Sequence, residues 1–197
     1  SKLTHLYLYS SQLSVFPNIS HLSLLVELQI QINQISFIPP SHVGHYTNRL
    51  KIIMNNNPII CVDGAVFDNA PNIWYINWEY TTIKIPHFPV SNTTTPNNLE
   101  NLYFRATNNK KNVFTSFQSQ IFMTFPSLKL LQIRNSPLTE FPDLFNASKI
   151  ECIKIYENEV AGLTNQTNIP KINNLKELKL NHNKITTLFA SFFDYMV

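Results

Sequence analysis

Apolar residues recur along this 197-residue chain in a fixed pattern. The clearest copy runs Leu175, Leu178, Leu180, Asn183, Ile185. Counting Leu175 as position one, apolar side chains fall at positions 1, 4, 6 and 11, and asparagine at 9. The same spacing reads Leu3, Leu6, Leu8, Ser11, Leu13, and then Leu25, Leu28, Ile30, Asn33, Ile35. It returns as Ile73, Ile76, Trp78, Thr81, Ile83, and as Leu99, Leu102, Phe104, Thr107, where Asn109 takes the eleventh place. Two more copies are Leu128, Leu131, Ile133, Ser136, Leu138 and Ile150, Ile153, Ile155, Asn158, Val160. A looser copy starts at Arg49 and runs through Ile52, Met54, Asn57 and Ile59, with Leu50 one place late. The copies begin near residues 3, 25, 49, 73, 99, 128, 150 and 175, so successive spacings run from 22 to 29. Alternation at positions 4 to 7 predicts a short half-buried strand in each copy. A repeat of this length predicts that the strands stack side by side in a parallel solenoid.

Ser11, Thr81, Thr107 and Ser136 stand where four other copies carry Asn33, Asn57, Asn158 and Asn183. A hydroxyl makes fewer hydrogen bonds than an amide, so a less regular stack is expected there. The return halves vary. Phe67, Phe122 and Phe193 mark an apolar return turn, and Pro17, Pro39, Pro86 and Pro142 follow the strand halves, where proline stops strand pairing. Segments 86–98 and 107–120 read as irregular insertions. The stretch Glu100–Arg105 (ENLYFR) is close to a protease recognition tag, but it lies in register with the other copies and is a strand of the fifth.

The pattern L-x-x-L-x-L-x-x-N-x-L resembles the leucine-rich repeat family over the whole chain. The variable repeat length resembles the extracellular type found in Toll-like receptors, Slit proteins and small leucine-rich proteoglycans. That resemblance implies an α/β solenoid: a leucine-rich repeat horseshoe with a parallel concave sheet, irregular convex return segments and about eight repeats. Residues 1–197 are expected to form a single array, a fragment of a longer one without its caps.

Composition adds limits. Hydrophobic residues make up 44% and charged residues 14%, which is globular and unusually uncharged. With a net charge of only +3, no nucleic-acid partner is expected, and no apolar run is long enough for a membrane span. Cys61 and Cys152 lie four repeats apart, roughly 20 Å at one strand spacing per step, too far for a mutual disulfide. Cys61 reads as a buried thiol, and Cys152, on the concave side, as a lone half-exposed thiol rather than a reactive one. N-glycosylation sequons occur at Asn18, Asn92, Asn146 and Asn165. With 25 asparagines and 30 serines plus threonines, chance alone gives 25 × 30/197, roughly four. Their count is therefore uninformative, but all four lie on return segments and spare the strands. The family type and this placement favour an extracellular or cell-surface location over a cytosolic one.

The strand positions between the apolar ones face outward and form the expected binding surface. In the middle copies they gather Trp74, Tyr75, Glu79, Tyr80, Tyr103, Arg105 and Arg134. Trp, Tyr and Arg anchor protein interfaces, so these seven are the candidate partner-binding residues. No nucleophile elbow, phosphate loop or zinc signature is present, so neither catalytic residues nor a cofactor is expected. His42 and His45 are three apart but lack a third ligand, so no metal site is expected. The expected function is recognition of a protein ligand by a receptor or adhesion protein. The alternatives are a self-associating matrix or filament protein and a cytosolic scaffold.

Overall fold

The computed structural model describes all residues except 61, 64, 83–97, 107–120, 145, 164–171, 189 and 196–197. Both expected insertions fall mainly on the excluded segments, and Cys61, Asn92, Thr107 and Asn165 lie outside the described residues. Eight parallel strands form one sheet in chain order. They are β1 (His5–Tyr7), β2 (Glu27–Gln29), β3 (Leu50–Ile53) and β4 (Ile73–Thr81). The rest are β5 (Asn101–Ala106), β6 (Leu130–Arg134), β7 (Cys152–Tyr156) and β8 (Glu177–Lys179). β4 is the longest at 9 residues, in keeping with its run of β-branched and aromatic side chains.

The expected register holds across the whole sheet. Leu6, Leu28, Ile52, Ile76, Leu102, Leu131, Ile153 and Leu178 pair in sequence across the eight strands. From the second to the seventh copy these residues are buried, and with the position 1 and position 6 residues they form one continuous core. In the first and last copies Leu6, Leu8, Leu13, Leu175, Leu178, Leu180 and Ile185 are only partly buried. The third copy departs from its expected reading. Leu50, not Arg49, stands opposite Ile73 and is fully buried, and a register shift between Leu50 and Lys51 absorbs the missing residue. Arg49 is released to the surface. A second shift in the fifth copy sets buried Ala106 opposite Thr81.

The asparagine column bonds as its chemistry requires. Asn57 Nδ2 donates to the carbonyls of Ile30 (2.9 Å) and Met54 (3.0 Å), and its Oδ1 accepts from the Ile35 amide (3.0 Å). Asn33, Asn158 and Asn183 likewise link neighbouring turns. Thr81 instead donates only to the Trp78 carbonyl of its own turn (3.0 Å), and Ser136 to the Arg134 carbonyl (3.3 Å). These hydroxyls serve their own turn, and in the fourth copy it is the next residue, Thr82, whose Oγ1 reaches back to the preceding turn at the Ile59 carbonyl (3.0 Å).

Position 8 of the repeat is left-handed. Ser10, Ile32, Asn56, Tyr80, Asn135, Glu157 and His182 all have φ between 51° and 58°. Glycine meets such a demand most easily, yet this chain has only 3 glycines and none of these positions uses one. Ala106, the fifth copy's position 8, stays in its strand.

The return halves are short turns, including the helices α1 (Ala65–Asn69) and α2 (Ile121–Thr124) and 3-10 turns at Pro40–His42 and Ala190–Tyr195. Phe67 and Phe122 are buried there as expected, and Phe67 meets Phe125 edge-on with ring centres 4.9 Å apart. Phe193 is a correction: it is 47% exposed, and its neighbour Phe192 fills the core at 4%. The turn's phase is off by one residue from the sequence reading.

Candidate concave interface

The fifth position of each repeat forms a column across the outward side of the sheet: Tyr7, Gln29, Ile53, Asn77, Tyr103, Gln132, Lys154 and Lys179. The seven candidate residues sit on β4, β5 and β6 and are all half-buried. Register brings them close, since neighbouring strands lie about 4.8 Å apart. The structure divides them into two groups.

The first group is aromatic. Trp74 and Tyr75 meet edge-on at 5.6 Å between ring centres, and Tyr75 tilts against Tyr103 at 5.1 Å. Two cations cover the outer rings: Arg49 lies 4.7 Å from the Trp74 ring centre and Lys51 5.2 Å from that of Tyr75. Neither was picked out by the sequence reading. Arg49 also pairs with Glu100 at 2.8 Å, and Lys129 reaches the same carboxylate at 3.2 Å. Burial works to raise the Glu100 pKa, but the hydrogen bonds from Arg49 and Lys129 outweigh it and leave it lowered. Burial pushes the Tyr103 hydroxyl up to about 12, with Tyr75, Cys152 and Glu79 adding to the rise. Tyr103 is thus a neutral hydrogen-bonding group at physiological pH.

The second group is charged. Arg105 stacks over Tyr80 at 4.4 Å, and Tyr80 itself sits in the left-handed turn (φ 56°). The Arg105 Nε is buried and has no acceptor among the described residues. Glu79, opposite Arg105 in register, is instead engaged by Gln132 at 3.1 Å and Asn77 at 3.3 Å. Arg134 behaves differently. It forks onto Glu157 through Nε and Nη2, both at 2.9 Å, and stacks over Tyr156 at 5.1 Å. That bidentate bond raises the arginine's pKa and lowers that of Glu157. Arg134 is therefore held within the sheet surface, whereas no ion pair is found for Arg105 among the described residues.

Solved structures resemble this chain in shape. Human 5T4 (Wnt-activated inhibitory factor 1, trophoblast glycoprotein) superimposes with a TM-score of 0.70 at 14% identity, over 94% of this chain and 69% of that one. Drosophila Toll in its complex with Spatzle gives 0.66 at 16% identity, over 98% of this chain and 29% of that one. TLR13 in complex with ssRNA13 gives 0.66 at 14% identity, over 99% and 26%. No family model matches the chain, and no curated protein sequence matches it either.

This is the leucine-rich repeat fold. The chain spans less than a third of the Toll and TLR13 chains. Because TLR13 has the same fold and is solved with an RNA, the exclusion of nucleic acid drawn from the small net charge is not carried forward. No helix among the described residues is long and apolar enough to cross a membrane.

Other predicted residues of the leucine-rich repeat array also find their places. The ring Nδ1 of His42 donates to the Phe16 carbonyl at 2.8 Å, tying one return turn to the turn before it. Cys152 faces the outward side, but its Sγ donates to Glu177 at 3.0 Å. Burial, and then that hydrogen bond, push the thiol up to about 11, so it is protonated and unreactive near neutrality. Asn18 and Asn146 are exposed on return turns. The Asn18 Oδ1 accepts from both the Ser20 amide (3.1 Å) and the Ser20 hydroxyl (2.7 Å).

Proposed function

We propose that the chain is a protein-recognition module, the ligand-binding part of an extracellular receptor or adhesion protein, and that it engages its partner through the concave face over β4 to β6. The observation that carries this reading is the cluster Trp74, Tyr75 and Tyr103, flanked by Arg105, for which no ion pair is found among the described residues. Rigid aromatic rings give large contact area at small entropic cost, and an unneutralised arginine gains most when a partner supplies its acceptor. The 5T4 and Toll likenesses and the position of Asn18 and Asn146 away from the sheet support the extracellular part of the reading. Toll itself is solved with a protein, Spatzle.

Two experiments test it. Peptide mass spectrometry of native material is expected to find glycans on Asn18 and Asn146; bare asparagines at both would remove the extracellular placement. A Tyr103→Ala, Arg105→Glu double variant is expected to keep its thermal transition and lose at least tenfold in affinity for partner purified on the wild-type chain. Unchanged affinity would reject the concave anchors. A second reading, self-association, draws on the partly buried leucines of the first and last copies. It predicts a sedimentation coefficient that rises with concentration.

A further inference from the structure

The column that carries Tyr103 continues through Gln132 and Lys154 to Lys179. There the concave face opens into a depression of about 360 Å³ lined by Gln132, Lys154, Tyr156, Lys179 and Asn181. Every lining group is polar or cationic, in contrast to the aromatic surface two strands away. The two ammonium groups share one carboxylate: Lys154 reaches Glu177 at 3.1 Å and Lys179 reaches it at 2.7 Å. Each ammonium carries three N–H donors; Lys179 uses one on Glu177, and Lys154 meets both Glu177 and the Cys152 sulfur. Gln132 is turned toward Glu79. Among the described residues the depression thus holds two cations to one carboxylate and several unused donors, beside the hydroxyl of Tyr156 and the amide of Asn181.

We propose that this depression is a second subsite of the concave face and that it receives a carboxylate side chain of an acidic peptide segment in the protein partner. The inference rests on the concave face being the recognition surface, and it adds the polarity of the ligand. From β5 to β8 there are three strand steps, about 14 Å at about 4.8 Å each. An extended chain covers that in about four residues at 3.3–3.6 Å per residue. The ligand strand therefore crosses the sheet with an aromatic or apolar residue at Tyr103 and Asp or Glu about four residues further on, over Lys154 and Lys179. A nucleic acid fits less well. Tight phosphate binding draws on many free cations along a track, and here Arg49, Lys51, Lys129, Arg134, Lys154 and Lys179 are each paired with a carboxylate.

The test uses three labelled probes in fluorescence anisotropy at low salt: hexaglutamate, hexauridylate, and an octapeptide with Phe at its first position and Glu at its fifth and sixth. The account predicts that hexaglutamate binds weakly and that Lys154→Gln with Lys179→Gln weakens it roughly tenfold, the size expected of two exposed charge pairs. Glu177→Gln acts in the opposite direction and tightens it, because the competing carboxylate is gone. The octapeptide binds more tightly than hexaglutamate and is weakened by the lysine pair and by Tyr103→Ala, whereas Tyr103→Ala leaves hexaglutamate unchanged. Hexaglutamate binding that is absent, or indifferent to the lysine pair, overturns the subsite. Tighter binding of hexauridylate, lost in the same lysine variant, overturns its assignment to a peptide. An octapeptide that loses only its Tyr103 dependence leaves the acidic subsite standing and counts against the aromatic anchor alone.

Discussion

Replacing Asn57 with alanine is expected to be among the most damaging polar substitutions in the array. Asn57 is 1% exposed and makes three hydrogen bonds. Its loss does not orphan every partner, because the Ile30 carbonyl keeps the Asn33 amide at 2.8 Å. The Ile35 N–H and the Met54 carbonyl are left behind, in a part of the core where both residues are fully buried. Each unsatisfied buried group costs about 1–3 kcal/mol, so two give about 4 kcal/mol in mid-range. For a domain of this size that lowers Tm by about 10 °C. Asn57→Thr is expected to recover about half, because Thr81 in the next repeat shows a hydroxyl reaching the equivalent carbonyl of its own turn at 3.0 Å. The assay is urea unfolding followed by tryptophan fluorescence and by circular dichroism, with coincident transitions as the check on two-state behaviour. Fluorescence reports this turn, since buried Trp78 donates from Nε1 to Met54 Sδ at 3.0 Å. A loss below about 1 kcal/mol in Asn57→Ala, or a Thr variant no better than Ala, would refute the reasoning.

Other outcomes follow from the same geometry. Ile32, 55% exposed, holds φ at 56°, where a β-branched residue is strained by about 1–2 kcal/mol; Ile32→Asn is expected to raise the urea midpoint, and Asn56→Ile at the same turn position of the next repeat to lower it. Stability is expected to fall in acid. Glu100 and Glu177 have folded pKa values below the ordinary 4.5, with Glu177 brought to about 2 by Lys179, Cys152 and Lys154. A depressed carboxylate stabilises above its unfolded pKa and loses that contribution as pH falls through the folded one. The urea midpoint should therefore be flat for these groups above about pH 5 and decline from there toward pH 2, and a Glu177→Gln variant should decline less. The Cys152 thiol, pushed up to about 11, is expected to react with iodoacetamide at pH 7 far more slowly than a free cysteine peptide, and faster once Glu177→Gln removes its hydrogen bond.

Most of the fold was legible because the repeat is a register, and register follows from which side chains must be buried. The strand positions between the apolar ones, read as outward-facing, line up strand by strand in the observed pairing. The failures are one-residue slips at a bulge and at a turn. Leu50 lies one place after its expected position and Phe192 one place before Phe193, and a short bulge or turn decides each. The left-handed turn at position 8 was hidden because Ile32, Tyr80 and Glu157 occupy it in place of glycine. Within the candidate site, residue placement was legible and pairing was not. Arg105 and Arg134 are adjacent arginines in one column, yet among the described residues the ion pair is found at Arg134, with Glu157 at the left-handed turn of the next repeat. The sequence also hid Arg49 and Lys51, which lie in the irregular third repeat and reach over rings of the fourth.

The claim that the concave face is the recognition surface is tested most directly by hydroxyl-radical footprinting of the chain with and without partner purified from its native source. The account predicts protection of Trp74, Tyr75 and Tyr103 in the complex, with oxidation of exposed Met123 on α2 and exposed Phe37 on the return side unchanged. Protection of Met123 or Phe37 with the three concave rings still fully reactive would place the partner elsewhere and contradict it.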